Sequence, residues 1–403
     1  MLYDNINMYI QNDENVFRRN DMLLSKEEWI KSNFNQNDKY LELSERAFDI
    51  LNANMYAVDA GYLWSPYRCL TPGNNKFRGI WNWDSAFHAI GLSRWDTELA
   101  KESILGFLKF QKVDGMLPDV IRENGEIVDK YSKPPVFAWA TEVIYNRGAD
   151  IEFVKEVYPK LVLNTLWWET NRLYEGLFFY DSEDKECEQY HLHIQYETGW
   201  DNSVRWDYPA NEYWAIDLNC FMVMCYKSLA NLAMITDNEE DSLKWQKKSV
   251  DLSNLINEKM WSRENKWYSD VNRFTDEISD ALTPASFMPL YVEIASEEQA
   301  ESMRCIAENN FKCQMPTVSF DNKAYSNDYW RGPTWLNVAY FAAKGLKNYG
   351  FEVAEKIKKS ILDMCDSNKG GIYENYNSIT LEGQYCNRFG WSCVFILEFR
   401  LNF

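Results

Sequence analysis

Apolar residues recur every three or four positions along most of this chain, which is the spacing of amphipathic α-helices. Leu218, Phe221 and Cys225, for example, continue through Leu229 and Leu232. Strand signals are weak and local by comparison. The apolar stripes predict helices over residues 39–59, 96–111, 134–146, 153–172, 218–232, 242–260, 333–346, 351–364 and 389–401. Asp96 is placed to cap the second of these helices and Pro333 to begin the seventh.

The order of these elements predicts one all-α domain over residues 37–403, preceded by a polar, Asn-rich arm over residues 1–36. Helix pairs recur at intervals of roughly 40–50 residues, which resembles the spacing of an α-solenoid. The loops are too long and too individual for an open solenoid. An α/α toroid fits better, with its long loops gathered at one end around a central cavity. Those loops span residues 62–84, 114–135, 197–209, 321–335 and 370–388.

Composition narrows the kinds of ligand that such a fold would bind. The formal net charge is −19 at pH 7, so DNA, RNA and anionic membranes would be repelled. The chain has 17 Trp, 25 Tyr and 22 Phe, together 16% of its residues. Most aromatic residues serve the core in any fold, but this excess favours a carbohydrate site. We therefore expect a small-molecule or oligosaccharide substrate, and no nucleic-acid or membrane partner.

The nine cysteines and three histidines indicate neither a disulfide framework nor a zinc site. The cysteine count is odd and contains no C-x-x-C pair. His191 and His193 could bind a metal from one strand face, but we favour a surface pair and expect no metal or other cofactor. The first residues lack the basic start and apolar run of a signal peptide. No stretch approaches the roughly 20 apolar residues of a membrane span, so we expect a cytoplasmic protein.

The strongest chemical signal lies in residues 198–207, TGWDNSVRWD. Asp201 follows Trp200 directly, and Gly199 permits a tight turn. A carboxyl group wedged among indoles is poorly solvated, which raises its pKa and suits it to act as a general acid. Trp200 and Arg205 would set its protonation and hold its loop. The alternative is an ordinary turn in which Asp201 caps the next helix.

Hydrolysis of a glycoside with inversion needs a second, ionised carboxylate, roughly 6.5–9.5 Å from the acid. The best partner for Asp201 is Glu374, within GGIYENYN at residues 370–377. The two glycines permit a close backbone approach, and flanking Tyr and Asn side chains could donate hydrogen bonds that keep Glu374 ionised. The alternatives are a polar turn with an incidental Glu, or Glu382 in place of Glu374.

Two further aromatic motifs suggest sugar recognition. WNWD, from Trp81 to Asp84, places a carboxylate that can accept hydroxyl hydrogen bonds beside indoles. YWRGPTW, residues 329–335, offers an Arg donor in place of the Asp. Each motif could instead be a buried aromatic helix start. Four such motifs in one chain, at predicted helix N-termini or in the loops before them, are hard to explain by packing alone.

Seven motifs follow one another along the chain: WNWDSAFHA from Trp81, DGMLPD from Asp114, PPVFAW from Pro134, GWDNSVRWD from Gly199, YWRGPTW from Tyr329, ENYN from Glu374 and FGWS from Phe389. Together they resemble glycoside hydrolase family 63. The resemblance is strongest to its compact bacterial members, such as the mannosylglycerate and glucosylglycerate hydrolases, and extends more distantly to the trehalases of family 37. It covers the chain from about residue 60 to the C-terminus.

The resemblance implies an (α/α)6 barrel that hydrolyses an α-glycosidic bond with inversion and needs no metal. It assigns the general acid to Asp201 and the general base to Glu374. Gln384 falls where the compact members carry a contact to the leaving group. The sugar contacts that the resemblance implies are Trp81, Trp83, Asp84, Trp200, Trp330 and Arg331. We add seven substrate-binding candidates from these motifs and neighbouring segments: Gln111, Lys133, Asn202, Arg205, Tyr329, Trp335 and Tyr376.

The sequence departs from the family pattern at two positions, and several alternatives stay open. Lys133 stands where the compact members usually have Gln, and Asp119 where they often have His. Lys133 could pair with an anionic aglycone or with Asp119. The sequence does not separate glucose from mannose or identify the aglycone. A sugar epimerase or isomerase, and a carbohydrate-binding protein without catalysis, are the alternative functions for the same toroid.

Overall fold

Fourteen α-helices are present in residues 24–55, 67–73 and 76–403, the parts of the chain that the computed structural model describes. They are α1 (Lys26–Asn33), α2 (Leu41–Ala53), α3 (Asn82–Leu92), α4 (Thr97–Leu108), α5 (Phe137–Gly148), α6 (Ile151–Asn171), α7 (Tyr190–Thr198), α8 (Ile216–Ile235), α9 (Glu239–Lys259), α10 (Met288–Tyr291), α11 (Glu297–Ile306), α12 (Leu336–Asn348), α13 (Val353–Ser367) and α14 (Gly390–Leu401).

Six of these helices close into an inner ring. α3 packs against α5, α5 against α8, α8 against α10, α10 against α12, α12 against α14, and α14 against α3. From α2 onward, and with α7 as an addition, outer and inner helices alternate along the chain. The arrangement is the predicted (α/α)6 barrel.

Burial explains which helices lie inside the ring. Every residue of α3 is buried, and so are most residues of α8. By length and mean hydropathy (1.3), α8 could cross a membrane, so the expectation that no stretch approaches such a span is wrong. Within the fold, 78% of its most apolar window is buried, as expected for a core helix surrounded by protein. Four of the outer helices, α4, α6, α9 and α11, begin with a side-chain cap. In α4 the cap is Asp96, which accepts a hydrogen bond from Leu99 N (2.8 Å), as predicted.

Two helix predictions need correction. Pro333 precedes α12 and does not begin it, because Thr334 pairs in extended conformation with Tyr376 (Thr334 N to Tyr376 O, 2.7 Å). The short helices α1, α7, α10 and α11 were not predicted from the apolar spacing, although α10 belongs to the inner ring. Within the predicted arm, residues 1–23 lie outside the described residues. Its remainder contains α1, whose Trp29 is buried against Phe48 and Trp95. Residues 62–66 and 74–75 of the first predicted loop also lie outside the described residues.

Short strands lie in the loops between the helices. β1 (Gly79–Trp81), β2 (Val120–Arg122) and β3 (Ile127–Val128) form one antiparallel sheet. The other pairs are β4 (Leu173–Tyr174) with β5 (Leu177–Phe178), β6 (Tyr213–Trp214) with β9 (Val271–Asn272), β7 (Trp261–Ser262) with β8 (Trp267–Tyr268), and β10 (Tyr373–Tyr376) with β11 (Gly383–Asn387). The first sheet leads directly into α3, and the β10–β11 hairpin leads into α14. These two segments therefore place loop residues at the start of inner helices.

Candidate active site

A cleft opens at the end of the barrel where α3, α12 and α14 begin. Nine of the predicted site residues line it: Trp81, Trp83, Asp84, Lys133, Asp201, Tyr329, Trp330, Trp335 and Glu374. The other lining residues are Pro72, Phe77, Gly199, Phe389 and Trp391.

Asp201 lies in the turn that follows α7. Gly199 ends α7 in the left-handed region (φ +73°), a conformation that favours glycine. A Cβ at this position would also lie only 2.4 Å from the Trp83 ring, which is a second reason for glycine here. Asp201 does not cap the following helical turn, since Ser203 Oγ takes that role. Burial raises the pKa of Asp201 to about 6; the Lys133 ammonium opposes that rise and Asp119 adds to it.

The segment after Asp201 is held by a buried ion-pair cluster. Arg205 donates two hydrogen bonds to Asp217 (both 2.7 Å) and two to Asp270 (2.7 and 2.8 Å). Its guanidinium carbon lies 5.0 Å from the centre of the Trp200 ring. Arg205 therefore holds this loop in place, as predicted from sequence, but it does not line the cleft.

Glu374 lies on β10, and its side chain is almost fully buried. Its carboxylate accepts hydrogen bonds from Tyr329 Oη (2.7 Å) and from the backbone N–H of Cys386 (3.2 Å). Burial raises the pKa of Glu374, and these two hydrogen bonds oppose the rise. The expected donors, neighbouring Tyr and Asn side chains, are replaced by groups from two other segments. Gly371 does allow the predicted close approach, since a Cβ there would lie 1.7 Å from Asn387 Oδ1.

The competitor Glu382 is excluded from the cleft by its position. It is exposed in the turn of the β10–β11 hairpin, beside Thr380, and does not line the cleft. A carboxylate there meets bulk water and has no contact with the other acidic residues of the site. The hairpin geometry therefore selects Glu374 over its neighbour.

Three further ionisable residues, Asp84, Asp119 and Lys133, interact with one another near Asp201. The Lys133 ammonium lies 3.2 Å from Asp119 Oδ1 and also donates to the backbone oxygen of Tyr196. Of the two partners considered for Lys133, the structure thus shows Asp119. Burial raises the pKa of Asp84 to about 8, Lys133 opposes this shift, and Asp119 adds to it. Asp84 is therefore largely protonated at neutral pH and can donate a hydrogen bond as well as accept one.

Stacked indoles form the wall beside these acids. The Trp330 and Trp335 rings are 3.9 Å apart and nearly parallel (11°). Trp200 packs behind Trp330 at 5.1 Å, and Trp391 meets Trp83 edge-on at 5.3 Å. Such a rigid, flat wall suits the apolar face of a sugar ring.

Seven predicted site residues do not line the cleft. The Gln111 amide donates to Gly115 O (3.1 Å) and Lys160 O (2.8 Å), so it is occupied by backbone acceptors outside the cleft. Arg331 forms a two-bond ion pair with Asp207 (2.6 and 2.9 Å). The remaining five do not line the cleft either: Trp200, Asn202, Arg205, Tyr376 and Gln384.

The sequence prediction missed several contributors to the site. Phe389 and Trp391 line the cleft and belong to the FGWS motif, so that motif could have identified them. The Cys386 backbone donor carries no sequence signal, because any residue but proline supplies an N–H. Phe77, Tyr131 and Tyr196 lie in or beside the cleft without a recognisable pattern around them.

Comparison with known proteins agrees with this geometry. Residues 78–392 match the family described as "Mannosylglycerate hydrolase MGH1-like glycoside hydrolase domain". The chain belongs to this family. It is therefore a glycoside hydrolase, and the matched range contains every lining residue except Pro72 and Phe77.

Individual relatives are distant but cover most of the chain. The mannosylglycerate hydrolase of Rubrobacter radiotolerans is 21% identical over 81% of this chain and 92% of its own length. A periplasmic trehalase of Salmonella paratyphi C is 24% identical over 71% of this chain and 57% of its own length. The crystal structure of the GH63 mannosylglycerate hydrolase from Thermus thermophilus in complex with glucose superposes with a TM-score of 0.75, at 22% identity, covering 90% of this chain and all of that one.

Proposed function

We propose that this glycoside hydrolase acts on a small α-glucoside or α-mannoside and inverts the anomeric configuration, with Asp201 as general acid and Glu374 as general base. The observation that carries the proposal is the difference between two carboxyl groups in one cleft. Glu374 accepts two hydrogen bonds that favour its ionised form. Among the described residues, no side chain donates to Asp201, whose pKa is raised to about 6. Environments that separate two carboxyl groups in this way mark an acid and a base.

The proposed reaction follows from those two protonation states. Asp201 donates its proton to the glycosidic oxygen as the bond to the anomeric carbon breaks, and the aglycone leaves as an alcohol. Glu374 accepts a proton from a water molecule whose oxygen attacks the anomeric carbon from the opposite face. The products are the alcohol and the free sugar of β-configuration. The Trp330–Trp335 wall would hold the ring during this step.

Unpartnered polar atoms around the cleft support a sugar as the ligand. Asp84 Oδ1 and the indole N–H groups of Trp81 and Trp391 are buried, and none has a hydrogen-bond partner within the described residues. Sugar hydroxyls can satisfy both kinds of group, since they donate to the carboxyl and accept from the indoles. The relatives' names, mannosylglycerate hydrolase and trehalase, supply the first candidate substrates.

The proposal is tested by following early product by ¹H NMR with a panel of α-glycosides that includes mannosylglycerate, glucosylglycerate and trehalose. From the two glycerates we expect the β-anomer to appear first and then to mutarotate, whereas trehalose, whose leaving group is itself an α-glucose, should first give equal amounts of both anomers. First appearance of the α-anomer alone would contradict inversion. Binding without turnover across the panel would favour a carbohydrate-binding protein, and conversion of a free sugar would favour an isomerase.

Replacing Lys133 with Gln should move the alkaline limb of kcat/KM to higher pH. The limb reflects loss of the Asp201 proton, and the Lys133 ammonium lowers the pKa of that carboxyl. Without the ammonium, Asp201 keeps its proton to higher pH. The measurement is a pH profile of kcat/KM on the best substrate of the panel.

Lys130→Gln is the matched control for Lys133→Gln. Lys130 lies three residues earlier in the same loop, is about half exposed, and has its ammonium 4.0 Å from Asp184. Its removal should leave the alkaline limb in place. An unshifted limb in Lys133→Gln, or an equal shift in both variants, would contradict the assignment of that limb to Asp201.

A further inference from the structure

Asn202, which follows the proposed acid Asp201, hydrogen-bonds to a strained turn. Tyr329 in that turn contacts the proposed base, Glu374. Residues 328–331 form a turn closed by Arg331 N–H donating to Asp328 O (2.8 Å). Within it, Tyr329 has φ +42°, in the left-handed region that a bulky aromatic residue rarely adopts. The conformation directs the Tyr329 hydroxyl to Glu374 Oε1 at 2.7 Å. Some other contact must therefore hold this backbone in place.

The Asn202 side chain makes contacts on both sides of Tyr329. Its Oδ1 accepts a hydrogen bond from Trp330 N–H (2.9 Å), and its Nδ2 donates to Asp328 Oδ2 (2.9 Å). Trp335 Nε1 holds the Tyr329 carbonyl as well (2.8 Å). The amide supplies the acceptor for one contact and the donor for the other. Aspartate would lose the donor and bring a second carboxylate to Asp328.

We infer that Asn202 is a positioning residue, which holds the 328–331 turn so that Tyr329 can hydrogen-bond to Glu374. The inference rests on the proposed function for its catalytic consequence, because it links the loop of the acid to the environment of the base. This role differs from the expected contact of Asn202 with the substrate, because the amide contacts the turn and Asn202 does not line the cleft. Asn202 acts on Glu374 only through Tyr329.

The kinetic test compares Asn202→Ala, Tyr329→Phe and the double variant. Each single change should lower kcat by about tenfold to a hundredfold while KM changes little, since a small misplacement of a catalytic group has effects of this size. Each should also move the acidic limb of kcat/KM to higher pH, because loss of the Tyr329 hydrogen bond raises the pKa of Glu374. The double variant should resemble Tyr329→Phe alone, since both changes remove one interaction.

Asn310→Ala is the matched control. Asn310 Nδ2 donates to Asp321 Oδ2 at 2.9 Å, the same kind of contact at the same distance, but away from the turn. This variant should keep the kcat and the pH profile of the unaltered protein. Independent, multiplicative losses in the Asn202/Tyr329 double variant would overturn the inference, and so would an unshifted acidic limb in Asn202→Ala.

A readout without turnover separates this inference from the proposed function. In protein labelled with ¹³C at the Glu carboxyl carbon, the Glu374 signal is assigned by its loss in Glu374→Gln. Its titration midpoint should rise in Asn202→Ala and in Tyr329→Phe, and stay in place in Asn310→Ala. If the midpoint rises in a protein that hydrolyses no α-glycoside, Asn202 still positions Tyr329 and only the proposed function fails. If the protein is active and the midpoint does not move, the positioning role fails.

Discussion

Replacing Asp201 with Asn is expected to lower kcat by about 10³-fold on substrates with a sugar or glycerate leaving group, within the usual range for loss of a general acid. Asparagine keeps the shape of the side chain but has no proton to give at this position. Folding stability should change by less than about 1 kcal/mol, as for a substitution that leaves no buried group unpaired. Steady-state kinetics and thermal unfolding of the same preparation measure the two effects.

A change of leaving group distinguishes the acid from the base. A dinitrophenyl α-glycoside releases a stable anion and needs little protonation, so Asp201→Asn should recover much of its rate on it. Glu374→Gln should be slow on both classes of substrate, because water still has to be deprotonated. An equal loss of kcat for Asp201→Asn on the two classes of substrate would contradict its role as the acid. Near-normal turnover on substrates with a sugar or glycerate leaving group would contradict it as well.

Replacing Arg205 with Met should lower the free energy of unfolding by about 3–5 kcal/mol, the cost of leaving buried charges without their partner. The side chains of Asp217 and Asp270 are only 1% and 3% exposed. Without the guanidinium, both carboxylates stay buried beside each other. Chemical denaturation with guanidinium chloride gives the free energy, and the slope of the transition shows whether the unfolding remains two-state.

Arg304→Met serves as the control for this stability effect. Arg304 also binds two acids, Glu301 (2.5 Å) and Glu308 (2.6 Å), but these pairs are partly exposed to solvent. Solvent-exposed ion pairs contribute about 1 kcal/mol or less. Adding Asp217→Asn and Asp270→Asn to Arg205→Met should restore part of the loss, since neutral amides need no counter-charge. Equal destabilisation by Arg304→Met and Arg205→Met would show that burial of the cluster does not matter.

Much of the fold was predictable because helical periodicity is local. Apolar spacing marks which face of a helix is buried, and the caps at Asp96 and Asp150 lie three residues from the amides they bind. The alternation of helix pairs and long loops led to the toroid. Pro333 was misplaced because the local preference of proline for a helix start yields to the backbone pairing of Thr334 with Tyr376, a residue from a distant hairpin.

Part of the site was predictable because it, too, depends on local sequence patterns. Asp201, Glu374 and the Trp-rich motifs are recognised from their immediate neighbours, and the structure brings them into one cleft. Arg331 was expected at the substrate as the donor of its motif and from the family resemblance, and Gln111 as a candidate from a neighbouring segment. Which acceptor such a donor meets depends on segments distant in sequence: Asp207 for Arg331, and the backbone of Lys160 for Gln111.

The sequence by itself determined the helical barrel, the family and the two candidate carboxyl groups, because each depends on residues close together in the chain. Only the tertiary structure decided which contacts set the pKa values of those carboxyl groups. Glu374 accepts hydrogen bonds from Tyr329 and Cys386, and Lys133 forms an ion pair with Asp119. Asn202 hydrogen-bonds to the turn that contains Tyr329. Proton affinity depends on burial and on charges within a few ångströms. Those neighbours are set by how distant loops meet at the end of the barrel.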